Sequence, residues 1–154
     1  MICFKLIKKV LDGIYEELPE KNRDELIRDE LKRLTAAYRT LYDGSVIDYS
    51  NSATRFSYVF KYVTSHANMV YQIIESNKSL GVCLDKSKLT LSCIGGGPGS
   101  DLLGVLKYLD VFKKKPQLMC YLLDKENLWN ETWSDIWPNV GPDYMLSTNI
   151  MSFN

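Results

Sequence analysis

Four glycines between an apolar strand-like run and an apolar helical run form the segment of this sequence best suited to bind a ligand. The strand-like run covers residues 89–94 and is followed by Gly95. The chain then continues Gly-Gly-Pro-Gly-Ser over residues 96–100 and reaches Asp101. Glycine has no Cβ, so the chain can turn tightly and let a ligand approach its backbone. A helix starting at Ser100 would add unpaired N–H groups and a positive dipole end. The segment predicts a nest for a nucleotide-like ligand.

An acidic residue follows the next predicted strand. Residues 117–123 read Gln-Leu-Met-Cys-Tyr-Leu-Leu and are followed by Asp124. A strand, a glycine loop, a helix and a second strand make a βαβ unit, in which the strands are parallel. A carboxylate at that strand end can accept two hydrogen bonds from the hydroxyls of a ribose. We therefore predict an adenosine ligand between the glycine loop and Asp124.

The spacing of the glycines distinguishes between kinds of nucleotide loop. A Walker loop needs Gly-Lys followed by Ser or Thr, which this sequence lacks. A dinucleotide loop reads Gly-x-Gly-x-x-Gly, and its sixth position, counted from Gly95, is Ser100. The spacing found is instead Gly95-x-Gly97-x-Gly99.

This strand, Gly-x-Gly-x-Gly loop, helix and acidic strand end resemble the first part of the class I S-adenosylmethionine-dependent methyltransferases. The resemblance covers residues 89–124 and extends loosely to residue 137. It implies a Rossmann-like fold and S-adenosylmethionine as the cofactor, while RNA and protein both stay open as the methyl acceptor. The cofactor-binding residues that it implies are Gly95, Gly96, Gly97, Gly99, Asp101 and Asp124.

The resemblance also assigns roles to these residues. Asp124 would bind the ribose and the glycines the methionine part. Asp101 would either face the ammonium group of the cofactor or only stabilise the start of its helix. The family often has an acidic residue two positions before the first glycine, where this chain has Cys93. No catalytic residue is implied, because methyl transfer to a nucleophilic acceptor chiefly requires alignment of the two groups.

The fold class expected from these patterns is α/β, with an incomplete Rossmann-like parallel sheet of two to three strands after a helical N-terminal region. Residues 1–84 would form the helical region and residues 85–154 the cofactor-binding βαβ portion. The family places acceptor-binding residues after a fourth strand, which the sequence does not reach, so we expect a truncated portion. The open sheet edge would be covered by a missing C-terminal part, by another chain through self-association, or by the N-terminal helices.

Apolar periodicity gives the expected elements in more detail. Pro19 would occupy the first turn of the second helix, and Ser65 would cap the fourth. Phe56, Val59, Phe60 and Val63 would share one face of the third helix. Residues 77–88 would form a linker. In the N-terminal region we expect four helices, starting near residues 2, 19, 52 and 65, of which the second runs to about residue 42. The elements expected after the linker are, in chain order, a strand over 89–94, a helix over 100–112, a strand over 117–123, a helix over 125–137 and a strand around 144–150.

The composition is that of an ordinary globular domain. Among 154 residues, 19 basic and 19 acidic side chains cancel, so no overall charge draws the chain to a membrane, and nucleic acid is a partner that net charge does not support. The four cysteines lack Cys-x-x-Cys spacing and there is one histidine, so no metal site is expected. Because no long apolar run and no signal peptide are evident, we expect an intracellular protein, cytoplasmic or nuclear.

Several aromatic and basic side chains have two interpretations each. Trp129, Trp133 and Trp137 share one helical face, which favours packing on the sheet over a base-stacking or partner surface. His66 would be a general base only if it reached the cofactor, and a lone histidine near a helix start is more often structural. Tyr58 would cap the cofactor or pack between helices.

Two functions of other classes stay open. The first is a non-catalytic scaffold or interaction module that uses a methyltransferase-like fold and binds a partner through its helices or tryptophan face. The second is an NAD(P)-binding oxidoreductase, which Ser100 disfavours because it replaces the third glycine of the dinucleotide loop.

Overall fold

The computed structural model describes residues 2–40, 46–134 and 147–152 of the chain. Its elements, in chain order, are α1 (Ile2–Glu17), α2 (Arg23–Arg39), α3 (Ser52–Tyr58), a π-helical turn (Val59–Val63), α4 (Thr64–Ser76), α5 (Lys78–Cys83), β1 (Lys88–Ile94), α6 (Ser100–Val111), β2 (Gln117–Asp124), α7 (Leu128–Ser134) and β3 (Ser147–Ser152).

The first helix forms as the sequence predicts, because its apolar residues recur on one face. Val10 and Ile14 are buried, whereas Lys8 is exposed and pairs with Asp12 one turn later. The buried stripe packs on α3 and the π-helical turn. Burying each large aliphatic side chain contributes about 1.5–3 kcal/mol, so tertiary packing rather than helix propensity holds α1 in place.

The start of α2 corrects the prediction made from Pro19. The proline lies in the corner between two helices, and α2 begins at Arg23. The side chain of Arg23 donates from Nε to the carbonyl oxygen of Leu18 at 2.9 Å, which closes this corner. Asn22, just before the helix, has a left-handed φ of 71°. Helix α2 therefore starts only after the chain has made this turn. It ends at Arg39 rather than near residue 42, as the sequence had predicted.

Residues 52–76 form one uninterrupted helical run, so the predicted break at Ser65 is wrong. The Ser65 hydroxyl lies inside the run and donates to the carbonyl oxygen of Tyr62 at 2.9 Å. The π-helical turn holds an extra residue, which rotates the positions around it. Val59 and Val63 are buried as predicted, whereas Phe60 is 60% exposed and stacks on Phe56 from outside.

The predicted linker at residues 77–88 contains a further helix, α5. The side-chain oxygen of Asn77 accepts hydrogen bonds from the backbone N–H groups of Ser79 and Leu80, at 3.0 and 3.3 Å. This is an N-cap, which satisfies donors that a helix start otherwise leaves unpaired. The prediction was wrong because Gly81 lies inside this short helix instead of breaking it.

The three strands form a parallel sheet in the order β1-β2-β3. Leu89, Leu91 and Cys93 lie opposite Leu118, Cys120 and Leu122, and this face carries the buried side chains of β2. The predicted β1, α6 and β2 are confirmed to within one residue at each end. The described part of the predicted third strand pairs as β3 from Ser147, whereas residues 144–146 lie outside the described residues. The fold is therefore mixed α/β with a parallel sheet.

Helix α6 links the sheet to the N-terminal helices. Most of its side chains are buried, because the sheet covers one side and α4 the other. A Cβ at Gly104 would lie 2.6 Å from the Val70 side chain and 2.7 Å from the Ala67 carbonyl oxygen. A glycine is thus needed here for α4 and α6 to pack so closely.

The opposite face of the sheet is more exposed. Thr90, Ser92 and Ile94 of β1 are exposed on it, Ile94 to 84%. Within the described ranges, β1 has β2 as its single strand neighbour, and the N-terminal helices contact α6 and α7 rather than lining up along β1. No helix in these ranges is long and apolar enough to cross a membrane.

Candidate functional site

The glycine loop closes over the end of β2. The N–H groups of Gly95 and Gly96 both donate to the carbonyl oxygen of Leu123, at 2.7 and 3.3 Å. The N–H of Gly99 then donates to the carbonyl oxygen of Gly96 at 2.8 Å. Gly95 and Gly99 have φ of 69° and 72°, in the left-handed region that favours glycine. The sharp turn predicted from the sequence is therefore present at the carboxyl ends of β1 and β2.

Asp124 reaches this loop, as the sequence predicts, and both of its carboxylate oxygens are engaged. Oδ2 accepts a hydrogen bond from the N–H of Gly97 at 2.9 Å, and Oδ1 accepts one from the N–H of Glu126 at 3.0 Å. A carboxylate has about four acceptor positions. Asp124 thus ties the loop to the start of the next segment and keeps two acceptor positions for other donors.

Protein side chains fill the space beside three of the glycines. A Cβ at Gly97 would lie 2.4 Å from the Trp129 ring, and one at Gly99 would lie 2.6 Å from the Trp133 ring. A Cβ at Gly96 would lie 2.4 Å from the Cβ of Cys93. Only at Gly95, among the loop glycines, would a Cβ meet no atom within 4 Å. Packing of Cys93, Trp129 and Trp133 is therefore one reason for glycine at positions 96, 97 and 99, and the assignment of these three glycines to a ligand stays a prediction.

A cavity of about 400 Å³ opens beside Gly95 at the carboxyl ends of β1 and β2. Of the predicted site residues, Gly95 and Asp124 line it, whereas Gly96, Gly97, Gly99 and Asp101 do not. The lining residues are Tyr49, Tyr58, Ile94, Gly95, Pro98, Leu123, Asp124, Lys125 and Trp129.

No protein-family model matches this chain, and no curated protein and no solved structure is significantly similar to it. Within the described ranges, no group of three or more His, Cys, Asp and Glu side chains is close enough to hold a metal ion.

Aromatic rings make up much of the cavity wall. The ring centroids of Tyr49 and Tyr58 lie 5.4 Å apart, and those of Tyr49 and Trp129 lie 5.6 Å apart. Burial raises the pKa of Tyr49 and of Tyr58 far above the ordinary range, and contacts with Tyr38 add to both shifts. Both phenols therefore stay neutral and neither is a base at neutral pH. Sequence reasoning missed Tyr49, because it stands in a polar loop with no periodic pattern.

A buried arginine holds the loop that carries Tyr49. Arg55 is 3% exposed, and its Nη1 donates to the carbonyl oxygens of Tyr49 and Ser50 at 3.0 and 2.8 Å. Its Nη2 binds the carboxylate of Glu17 at the end of α1. One guanidinium thereby joins α1, α3 and the loop, and fixes the backbone of a cavity residue.

Of the remaining candidates, His66, Asp101 and Trp133 lie outside the cavity lining, whereas Trp129 belongs to it. His66 contacts Tyr58, with 3.3 Å between Nδ1 and the phenol oxygen, which agrees with a structural role. Asp101 lies in the first turn of α6, where a carboxylate stabilises the helix dipole. Trp129 and Trp133 are buried, which confirms that they pack inward, while Trp137 lies outside the described residues.

Proposed function

We propose that this chain binds S-adenosylmethionine in the cavity beside Gly95, as the cofactor-binding portion of a Rossmann-like methyltransferase. The observation that carries this proposal is that Gly95, which follows β1, and Asp124, which ends the neighbouring parallel strand β2, border the same cavity. Adenosyl ligands of parallel α/β sheets bind at the carboxyl ends of the strands, beside a tight first turn. The cavity volume of about 400 Å³ falls within the usual range for ligand sites.

The chemistry of the lining suits the parts of such a ligand. Asp124 has two acceptor positions left after its bonds to Gly97 and Glu126, enough for the two hydroxyls of a ribose. Ile94, Leu123 and Pro98 offer apolar surface of the kind that an adenine ring covers. The S-adenosylmethionine sulfonium would supply an activated methyl group, and the chain would orient it.

The neutral tyrosines limit what the chain contributes to the reaction. Because Tyr49 and Tyr58 stay protonated, they do not deprotonate an acceptor at neutral pH. His66 lies outside the cavity lining. The two tyrosines would therefore contribute to the rate through alignment rather than proton transfer, which suits an acceptor that is already nucleophilic. RNA and protein both remain proposals for that acceptor.

Isothermal titration with S-adenosylmethionine and with S-adenosylhomocysteine tests the binding. The chain should take up at least one of them at a single saturable site. Ile94→Glu should weaken binding, because Ile94 lines the cavity yet is mostly exposed, so its replacement should leave the fold intact. Thr90→Glu is the matched control, on the same exposed face of β1 but away from the cavity. No heat from either compound, with a native circular dichroism spectrum, would overturn the proposal.

A non-catalytic scaffold is the second candidate, and one observation favours it. Trp129 and Trp133 fill the space beside Gly97 and Gly99, so these glycines already have a role in packing. A scaffold would show no heat with either compound and would self-associate, or bind a partner, without any cofactor in light scattering. A titration with NADH on the same samples tests the dinucleotide alternative.

A further inference from the structure

A second cavity lies where α1, α4 and α6 meet. Its volume is about 320 Å³, near the lower end of the range for small-molecule sites. No residue lines both this cavity and the one beside Gly95. We refer to the second one as the helix cavity, and its chemistry is independent of the glycine loop.

Apolar side chains from all three helices form much of the wall of the helix cavity. Ile7 of α1 and Ala67 of α4 line it and are buried. Phe4 of α1 and Val111 of α6 also line it, but they are 70% and 52% exposed. Two large apolar side chains thus border a cavity while they remain in contact with water. A ligand with an apolar body would cover them, which is favourable because apolar surface leaves water.

Lys107 brings a positive charge to this apolar wall. The side chain is half-buried, and its Nζ donates to Oδ1 of Asn68 at 2.7 Å. Nζ also lies 4.4 Å from the ring centroid of Tyr71. An ammonium group has three donors, of which Asn68 takes one. Among the described residues Lys107 forms no salt bridge, so a partly desolvated cation lines the cavity with donors left for an anion.

The other polar groups of the helix cavity are compatible with an anion beside Lys107. Asn68 lines the cavity as well, and its amide NH₂ provides further donors. Asp110 is the acidic residue of the lining, but it is exposed, so water and salt screen its charge more than that of the half-buried ammonium. A ligand anion therefore gains more from Lys107 than it loses from Asp110.

We propose that the helix cavity binds a small monocarboxylate with an apolar body, of the alkanoate or aryl-alkanoate class, and that Lys107 pairs with its carboxylate. The apolar body would lie against Phe4, Ile7 and Val111. This inference goes beyond the proposed function and does not rest on it, because the two cavities share no residue.

Titration calorimetry on the full chain with phenylbutyrate, phenylbutanol and phenylbutylamine tests the proposal. The three compounds share one apolar body and differ in charge. Phenylbutyrate should bind at a single saturable site, about tenfold or more tighter than phenylbutanol, the difference expected for a hydrogen-bonded charge pair that is partly shielded from water. Phenylbutylamine should bind most weakly. Equal affinities, tighter binding of the amine, or no saturable binding of phenylbutyrate would overturn the proposal.

Two lysine variants assign the carboxylate to one cavity. Lys107→Met keeps a long apolar side chain and removes the charge, so phenylbutyrate should lose about tenfold in affinity and bind no better than phenylbutanol. Lys125→Met is the matched control, because it removes the same charge from the cavity beside Gly95. The proposal is wrong if Lys125→Met weakens phenylbutyrate binding and Lys107→Met does not.

A variant at Asp110 distinguishes a monocarboxylate from an amino acid. Asp110→Asn removes the opposing charge from an exposed position, so phenylbutyrate should bind equally well or several-fold more tightly. The same variant should not weaken the binding of phenylalanine, a zwitterion with a similar apolar body. If phenylalanine bound more tightly than phenylbutyrate and lost this advantage in Asp110→Asn, the ligand class would be wrong.

Cys3 reports occupancy of the helix cavity without any change at Lys107. Its half-buried thiol lines the cavity, whereas Cys93 and Cys120 are buried. In a Cys83→Ser chain, saturating phenylbutyrate should slow the labelling of Cys3 by a thiol-reactive dye several-fold, as followed by mass spectrometry of the labelled peptide. Phenylbutylamine at the same concentration should not. An unchanged labelling rate with phenylbutyrate bound would place the ligand elsewhere and overturn the proposal.

Discussion

The backbone N–H of Gly97 donates a 2.9 Å hydrogen bond to Oδ2 of Asp124, joining two residues that are 27 positions apart. The other carboxylate oxygen accepts from the N–H of Glu126. The carboxylate that would bind a ribose thus also holds the glycine loop against the end of β2. The loop geometry and the proposed binding of a ribose depend on the same side chain, so the effect of a substitution at Asp124 on stability must be measured before its effect on affinity.

Asp124→Ala should lower the free energy of unfolding by about 1–3 kcal/mol, because the N–H groups of Gly97 and Glu126 lose their acceptor. Urea unfolding followed by tryptophan fluorescence measures this. Asp85→Ala is the control, since Asp85 is exposed and pairs with Lys114 at the surface, where loss of an ion pair costs under about 1 kcal/mol. Equal losses for the two variants would contradict the stabilising role of Asp124 in the loop.

Gly97→Ala should cost more stability than Gly95→Ala, although alanine is the smallest possible addition at both. At Gly97 the new Cβ would lie 2.4 Å from the buried Trp129 ring, so we expect a loss of about 3 kcal/mol or more. At Gly95 the space is open, and only the left-handed φ of 69° is unfavourable, at about 1–2 kcal/mol. Thermal and urea unfolding of both variants measure the difference, and the reverse order would contradict the packing of Trp129 on the loop.

The βαβ unit could be predicted from the sequence because each of its boundaries is marked locally. Glycines end β1, and Pro116 separates α6 from β2. Asp124 could be placed at the loop for the same reason, since parallel strands bring their carboxyl ends to one edge of the sheet. These inferences need only local patterns and one rule of topology.

The side chains that pack against the glycine loop and line the cavity could not be predicted in this way. Trp133 lies more than thirty positions from Gly99, and nothing in the local pattern indicates that its ring fills the space beside this glycine. Tyr49 lies at the cavity on a loop whose backbone Arg55 holds, a contact that no periodicity shows. The break predicted at Ser65 failed because the π-helical turn lets the helix continue with an extra residue. Such features depend on packing between distant segments.

Removing the buried guanidinium should be far more costly than removing a surface cation. Arg55→Met leaves the carbonyl oxygens of Tyr49 and Ser50 without their donor, so we expect a loss of about 3 kcal/mol or more. Glu17→Gln should cost less, because Glu17 is 42% exposed and water can solvate the replacement. Urea unfolding of the two single variants and the double variant should show coupling of about 0.5–3 kcal/mol.

Lys8→Met is the control for Arg55→Met, because Lys8 and Asp12 form an exposed ion pair on α1. Its loss should cost under about 1 kcal/mol. If Arg55→Met were as mild as Lys8→Met, Arg55 would not hold the loop that carries Tyr49.

The cysteine thiols should separate into fast and slow classes. Cys83 is exposed, whereas Cys93 and Cys120 are buried. A hydrogen bond with Cys93 and burial raise the pKa of the Cys120 thiol, which keeps it protonated and unreactive. Labelling of the native chain with a thiol-reactive dye should modify Cys83 first, and Cys83→Ser should remove the fast phase. Rapid labelling of Cys120 in the native chain would contradict the closed packing of the sheet on α6.

Alkaline pH should destabilise the fold through Tyr49 and Tyr58, the two tyrosines that line the cavity. Burial raises the pKa of Tyr49 and of Tyr58 in the folded state, and the neighbouring phenol of Tyr38 raises both further. In the unfolded chain a phenol has its ordinary pKa of about 10. The stabilisation is therefore complete below about pH 10 and is lost as the pH rises from there toward the folded pKa, because the unfolded state releases protons that the folded state retains.

Urea midpoints measured between about pH 8 and 11 should fall steeply above pH 10 in the unmodified chain, and less steeply in Tyr49→Phe, which has no phenol to ionise at that position. Absorbance of the ionised phenol should show that part of the tyrosine signal appears only when the chain unfolds. Tyr121→Phe is the control, because Tyr121 lies on the more exposed face of β2 and its hydroxyl contacts Met119 rather than a tyrosine of the cavity. This variant should keep the steep fall, because it leaves the buried phenols of Tyr49 and Tyr58 in place. If Tyr49→Phe and Tyr121→Phe gave the same pH profile, Tyr49 would not be the source of the alkaline instability.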